Sequence, residues 1–83
     1  MMFKARVEVS LKKGHTDPEG ETTAKLLREL GYMVETVGVS KVFTVTLKAN
    51  SKAEAENLVE EMCRRLLANP TKDDYSYTVE EVK

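Results

Sequence analysis

The residues of this chain that could do chemistry are one histidine, one cysteine and a few neighbouring acids. A nucleophile and its base must lie within hydrogen-bonding reach, yet His15 stands in a polar connection with no serine or cysteine beside it. Cys63 continues an apolar helical stripe, and a metal or redox site there would need basic neighbours or further ligands, such as a second cysteine. We therefore predict a solvated His15 and a buried, structural Cys63.

The adjacent acids and the glycines also lack the spacing of a reactive site. The pairs Asp73-Asp74 and Glu80-Glu81 point in alternate directions on extended chain, so their carboxylates need not converge as acid/base catalysis requires. No glycine spacing matches a phosphate-binding loop. We predict no catalytic residues and no metal ligands in this chain.

The composition limits the class of protein further. A chain of 83 residues with 41% hydrophobic content is expected to form a single domain, residues 1–83, that gains stability by association with other subunits. Its 13 basic and 14 acidic residues give a net charge of -1, which disfavours nucleic acid as a partner. No apolar run is long enough for a signal peptide or a membrane span, so we expect a cytoplasmic protein with a reduced Cys63.

The pattern of apolar residues predicts the elements that must position any site. Alternation from Phe3 to Leu11 indicates a strand with one buried face, and Asp17-Pro18 begins a helix that Gly31 ends. Met33–Leu47 is rich in β-formers and predicts two strands joined by a tight turn at Ser40-Lys41. A capping box at Ser51 and Glu54 starts a second helix, whose apolar stripe runs Ala55, Leu58, Val59, Met62, Cys63, Leu66 and Leu67.

The end of the chain completes the predicted topology. Asn69-Pro70 stops the second helix, and Tyr75, Tyr77 and Val79 alternate as a last strand. The order β-α-β-β-α-β predicts an α+β, ferredoxin-like split βαβ fold, in which a four-stranded antiparallel sheet carries both helices on one face. The other sheet face should be charged on the first strand and rich in hydroxyls elsewhere, through Lys4, Arg6, Glu8, Thr44, Thr46, Ser76 and Thr78.

Several motifs, in this order and spacing, resemble one small family. They are Val9-Ser10-Leu11-Lys12, Asp17-Pro18-Glu19-Gly20, Leu30-Gly31-Tyr32, Lys41, Met62-Cys63, Leu66-Leu67-Ala68-Asn69-Pro70, Tyr75 and Val79-Glu80. Across nearly its whole length the chain resembles the PurS family, the small subunit of the multi-subunit phosphoribosylformylglycinamidine (FGAM) synthase of purine biosynthesis. Gly38 and Ser40 depart from it, since the family tends to have an arginine and then a glycine before the lysine.

The resemblance implies a subunit without catalytic residues of its own. In the family, a glutaminase subunit (PurQ) releases ammonia, and a synthetase subunit (PurL) uses ATP and Mg²⁺ to form the amidine. PurS pairs as a homodimer and helps to join the two, so that ammonia can pass between them. The resemblance therefore implies that this chain binds no cofactor, since ATP and Mg²⁺ belong to the synthetase subunit, and that its partners are itself, PurL and PurQ.

Six residues are the candidate partner contacts: Asp17, Pro18, Gly20, Lys41, Asn69 and Pro70. Asp17, Pro18 and Gly20 could shape a loop that meets a partner, or simply cap a helix. Lys41 could reach an acidic partner surface or remain solvated. Two other functions fit the same topology. One is a small-molecule-binding regulatory module, and the other is an acylphosphatase-type enzyme, which would need an arginine that Lys12-Lys13-Gly14-His15 lacks.

Overall fold

The computed structural model describes residues 1–83, and its sheet has three strands in the order β2-β1-β3, all antiparallel. The elements, in chain order, are β1 (Met2–Leu11), α1 (Pro18–Glu29), β2 (Lys41–Lys48), α2 (Lys52–Met62), one π turn (Cys63–Leu67) and β3 (Asp73–Glu81). The prediction of a four-stranded sheet is therefore wrong. The overall α+β class remains, with one strand fewer than the ferredoxin-like pattern requires.

The strand that is missing is the one predicted before Lys41. Residues 33–40 pair with no other strand. Their backbone groups instead bind α1: the Asp17 carboxylate accepts the N–H of Val39 at 2.9 Å, and the Arg28 guanidinium donates to the carbonyls of Val34 and Glu35 at 3.0 and 3.1 Å. Three backbone groups of this segment are therefore bonded to Asp17 and Arg28, where a hairpin would have bonded them to a neighbouring strand. We refer to α1 together with residues 33–40 as the arm.

The core lies between α2 and one face of the sheet. Alternate residues of β1 are buried there, Phe3, Ala5, Val7 and Val9, as the sequence pattern predicts. α2 contributes Ala55, Val59 and Cys63 to the same cluster. Tyr75, Tyr77 and Phe43 are half-buried against it, so these aromatics lie on the helix-covered side as predicted.

The opposite face of the sheet is polar and exposed, which confirms the sequence prediction. The strand register places the charged residues of β1, Lys4, Arg6 and Glu8, opposite hydroxyl-bearing residues of the two neighbouring strands. Those exposed hydroxyl residues are Thr44, Thr46, Ser76 and Thr78. An antiparallel sheet with one solvated face is ordinary, so this polar surface needs no partner to explain it.

The helix ends follow the predicted signals. Asp17 caps α1 with Pro18 at the first helical position, and Gly31 adopts a φ of 99° just past the end. Ser51 caps α2 by accepting the N–H of Glu54 at 3.1 Å. Neither helix has the length and apolar character needed to span a bilayer.

One apolar residue of the predicted α2 stripe lies outside the core. Leu66 is 84% exposed, although Cys63 before it and Ala68 after it are buried. The cause is the π turn, in which the N–H of Ala68 donates to the carbonyl of Cys63, five residues earlier. One extra residue in a turn rotates the next side chains around the helix axis, so Leu66 moves to the surface.

Candidate functional site

The six predicted contact residues gather near one end of the sheet. There β1 ends while β2 and β3 begin, with Val9 opposite Lys41 and Leu11 opposite Asp73. Asp17 and Lys41 line one cleft of about 260 Å³ at this end. Pro70 lines a neighbouring cleft of about 290 Å³ with Lys12. Asp73 lines both clefts, so the structure brings the α1 start, the β2 start and the loop before β3 close together.

The side chain of Asp17 forms hydrogen bonds within the chain, and these bonds join α1 to the segment before β2. One carboxylate oxygen accepts the N–H of Gly20 at 2.9 Å and the other accepts the N–H of Val39 at 2.9 Å. These two N–H groups hold the pKa of the Asp17 carboxyl below its usual value of 3.8, because hydrogen bonds to the charged form favour it. The helix-cap interpretation of Asp17 is correct, and the same side chain also binds a residue far along the chain.

The Asp17-Pro18-Glu19-Gly20 motif requires a residue without a side chain at position 20. A Cβ atom at this position would lie 2.1 Å from the carbonyl oxygen of Val37 and 2.9 Å from the Asp17 carboxylate. The first turn of α1 therefore allows the backbone of the 33–40 segment to approach closely, a recurrent use of glycine. Asp17, Pro18 and Gly20 thus form an internal joint, and their direct access to a partner stays a prediction.

The bonding of Asp17 predicts an acid-dependent loss of stability that Asp17→Asn should remove. The folded pKa lies below the unfolded value of 3.8, so the stabilisation is complete well above 3.8 and is lost as the pH falls through the folded pKa. An asparagine keeps one acceptor oxygen, but its amide group cannot accept the second N–H. We expect the melting temperature of the variant to lie below that of the parent at about pH 6, with the gap closing at about pH 2.

Thermal unfolding followed by circular dichroism across that pH range would measure the gap. Asp74→Asn is the matched control, because Asp74 is an exposed acid on the polar face of the sheet. Its difference from the parent should stay small at every pH. A difference in melting temperature between the parent and Asp17→Asn that stays constant across the pH range would contradict the role assigned to the Asp17 carboxylate.

The Asn69-Pro70 loop is a structured turn held against the end of β1. The Asn69 side-chain oxygen accepts the N–H groups of Thr71 and Lys72 at 2.9 and 3.2 Å, an Asx turn. The Asp73 carboxylate accepts the N–H of Asn69 at 2.8 Å. Lys12 donates its ammonium group to the Pro70 carbonyl at 3.2 Å. The loop therefore has a fixed shape, and it presents Pro70 on the surface.

Lys41 differs from the other five because it has no structural task. It is the exposed first residue of β2, and both ion pairs of the chain, Glu60 with Arg64 and Glu61 with Arg65, lie on the second helix and its π turn. Lys41 lines the 260 Å³ cleft together with Asp17 and Glu19. Among the six residues, Lys41 is the side chain best placed to bind an acidic partner surface.

Sequence reasoning missed a polar cluster on the helix-covered side. Both tyrosines of β3 donate their hydroxyls to the carboxylate of Glu60, Tyr77 at 3.2 Å and Tyr75 by a shorter bond. The bond to Glu60 raises the pKa of Tyr75, while burial is the main reason that the pKa of Tyr77 is raised. Arg64 adds an ion pair at 3.6 Å. The i,i+4 spacing in the sequence predicts the pair of Glu60 with Arg64, but no local pattern shows that β3 lies beside Glu60.

His15 and Cys63 lie in different environments. His15 is exposed in the turn after β1, whereas Cys63 is fully buried in the core, where burial raises the pKa of its thiol. No group of three or more histidine, cysteine or acidic side chains is placed to hold a metal ion. The end of the sheet offers shaped loops and, in Lys41, an exposed side chain that forms no ion pair within the chain. Such an arrangement can recognise another surface by shape and charge.

Fold and site together define a small α+β protein with a rigid loop cluster at one end of an antiparallel sheet. The model of the family described as "PurS: Phosphoribosylformylglycinamidine (FGAM) synthase" matches residues 4–81. The chain therefore belongs to the PurS family. The earlier resemblance is confirmed by this match, which includes the six candidate residues, both helices and all of the sheet except the first two residues of β1.

Individual relatives agree with the family match. Subunit PurS of FGAM synthase from Archaeoglobus fulgidus is 49% identical over 73 residues, covering 87% of this chain and 91% of the relative. The crystal structure of Methanocaldococcus jannaschii PurS superposes with a TM-score of 0.84 at 38% identity, covering 98% of this chain and 99% of that one. A chain in the structure of PurLQS from Thermotoga maritima gives a TM-score of 0.87 at 30% identity, covering 96% and 99%.

Proposed function

We propose that this chain is the non-catalytic subunit of FGAM synthase that joins the glutaminase and synthetase subunits in de novo purine biosynthesis. The observation that carries the proposal is the likeness to a chain of the Thermotoga maritima PurLQS structure, over 96% of this chain and 99% of that chain. That structure is of PurLQS, an assembly of three kinds of subunit. By analogy, this chain binds PurL and PurQ and supports the transfer of ammonia from one to the other.

The proposal divides the chemistry among the subunits. PurQ releases ammonia from glutamine, and PurL uses ATP and Mg²⁺, while this chain holds no cofactor and supplies a rigid surface. The structured loops at the sheet end support that division, because Asp17, Asn69 and Asp73 use their polar groups to fix backbone shape. A subunit that works by adhesion needs such fixed surfaces.

We also propose that the chain works as a homodimer in the cytoplasm. Support for the dimer comes from α1, whose leucines Leu26 and Leu30 are 53% and 74% exposed. A domain of this size gains much by covering such residues with another subunit. The single free thiol, buried in the core, suits a reducing compartment.

Exchange of Lys41 for glutamate is expected to weaken assembly with PurL and PurQ without lowering the melting temperature. Lys41 is exposed and forms no ion pair in the chain, so its replacement leaves the fold intact. A glutamate facing an acidic partner surface would repel it, and we expect affinity to fall at least about tenfold. Light scattering of the three-subunit mixture would measure the change.

The matched control is Lys48→Glu, the same exchange at the other end of β2, where the side chain is also exposed. It should leave both assembly and melting unchanged. If Lys41→Glu assembles as the parent does, Lys41 is not a partner contact. If neither the parent nor the variants form a complex with PurL and PurQ, the proposed function itself fails.

A further inference from the structure

Lys12 lies at the end of β1, where the chain turns toward the arm, and it forms hydrogen bonds in three directions. Its backbone N–H donates to the Lys72 carbonyl at 2.7 Å, and its ammonium group donates to the Pro70 carbonyl at 3.2 Å. Its own carbonyl accepts the N–H of His15 at 3.2 Å. One residue therefore joins β1, the turn that follows β1 and the loop that precedes β3.

The loop of residues 69–72 has no other hydrogen bond to a distant part of the chain. Its remaining bonds join Asn69 to its near neighbours Thr71, Lys72 and Asp73. Such bonds fix the shape of the loop, but they move with it and do not fix where it lies on the end of the sheet. Apart from the chain connections at its two ends, the placement of the loop against β1 depends on Lys12.

The placement of this loop sets its spacing from Lys41. Val9 lies opposite Lys41 in β2, and Leu11 lies opposite Asp73 in β3, so β1 runs between the two elements that carry the candidate contacts. Both Lys41 and Pro70 are exposed. Two points that meet one partner bind it well only when their spacing is already correct, because ordering a misplaced loop costs binding free energy. Lys12, at the end of the strand between them, is placed to fix that spacing.

The chemistry of the bond suits this task. A hydrogen bond from an ammonium group to a carbonyl is charge-assisted and stronger than one between neutral groups. Proline has no N–H, so the carbonyl is the one backbone group through which Pro70 is held. Lys12 is half-buried, whereas the next residue, Lys13, is exposed and its side chain forms no ion pair in the chain. The two lysines carry the same charge, which makes Lys13 a matched control.

We propose that Lys12 is a positioning residue for assembly: its ammonium group holds the Asn69-Pro70 loop at a fixed spacing from Lys41, and the loop and Lys41 bind the same partner subunit. The partner surface that fits this pair has an acidic group for Lys41 and a shallow apolar site for the Pro70 ring. The inference rests on the proposed function, because the partner is PurL or PurQ.

Lys12→Met tests the proposal, since it removes the ammonium donor but keeps the backbone bond to Lys72. In the isolated chain, hydrogen exchange of the amide at position 12 should become at least about fivefold faster, because the loop that supplies its acceptor is no longer held. Titration into a mixture of PurL and PurQ, followed by light scattering, should show a dissociation constant at least about fivefold higher. Lys12→Arg keeps a cationic donor and should restore both values to within about twofold of the parent.

Lys13→Met removes the same charge one residue along and should change neither value. Circular dichroism should show all three variants folded, because none of the substitutions alters the core. An effect of Lys13→Met equal to that of Lys12→Met would overturn the proposal, since charge alone would then explain the loss. Failure of Lys12→Arg to restore the exchange rate and the affinity would overturn it as well.

The two measurements together distinguish positioning from other roles of Lys12. Weaker assembly with unchanged exchange would make Lys12 a direct partner contact, and faster exchange with unchanged assembly would make it a residue of the fold alone. Either result would overturn the positioning role and leave the proposed function standing. A parent chain that forms no complex with PurL and PurQ would overturn both.

Discussion

Replacing Gly20 with alanine is expected to detach the 33–40 segment from α1. The added Cβ would lie 2.1 Å from the Val37 carbonyl oxygen, a backbone atom that cannot turn aside as a flexible side chain can. Alanine gains about 1 kcal/mol over glycine inside a helix. Overpacking costs about 1 to 3 kcal/mol, and loss of the Asp17–Val39 hydrogen bond costs about 1 kcal/mol more. The clash therefore outweighs the gain in helix propensity.

Hydrogen exchange of the Val39 amide is the most direct measurement, because that N–H is bound to Asp17 in the parent. We expect its protection to be lost in Gly20→Ala, with the core strand β1 little affected. Gly38→Ala is the matched control, since a Cβ there would meet no atom within 4 Å. Unchanged Val39 protection in Gly20→Ala would show that the helix start and the segment are not packed as described.

The second large effect is expected from Phe3→Ala. Phe3 is 1% exposed, faces α2 and lies opposite Leu47 across the β1–β2 ladder. Deleting a buried phenylalanine ring costs about 3 to 5 kcal/mol through lost burial and the cavity that remains. A small domain has only about 5 to 15 kcal/mol of total stability, so we expect the variant to be marginal or unfolded near body temperature.

Chemical denaturation would measure the change in the free energy of unfolding. Met2→Ala is the control: the neighbouring residue on the opposite face of the same strand is exposed, so its loss should change stability by about 0.5 kcal/mol at most. Equal effects at the two positions would contradict the assignment of the covered face of the sheet.

Local patterns were sufficient for most of the elements. The alternation of β1, the cap at Asp17-Pro18, the stop at Gly31 and the cap at Ser51 each depend on residues within a turn or a strand, and each prediction is confirmed. The physical cause of each of these features lies in residues that are close in sequence. The features can therefore be predicted without knowing how the rest of the chain folds.

The fourth strand could not be judged in the same way. Residues 33–40 have β-forming composition, and their backbone is not helical. What decides their pairing is distant in sequence: the second oxygen of Asp17 binds Val39, 22 residues away, and Gly20 admits the Val37 carbonyl. A propensity for extended backbone does not specify which partner satisfies it.

For the candidate site residues too, local sequence patterns predicted some features, and contacts between distant residues decided the others. The motifs led to the right end of the molecule, where Asp17, Lys41 and the Asn69-Pro70 loop meet. They did not distinguish a residue that shapes the loop from one that faces outward, because that difference lies in hydrogen bonds made in the folded chain. Leu66 shows the opposite case, in which one π turn moves a residue from the predicted core to the surface.

In the function proposed above, this chain couples two other subunits and performs no chemistry itself. The measurement that tests it most directly is amidine synthesis by the matching PurL and PurQ, with and without this chain, supplied with either glutamine or free ammonia. We predict that synthesis from glutamine requires the chain, whereas synthesis from ammonia by PurL continues without it. Glutamine-driven synthesis at the same rate in its absence, together with no complex between the three proteins, would contradict the claim.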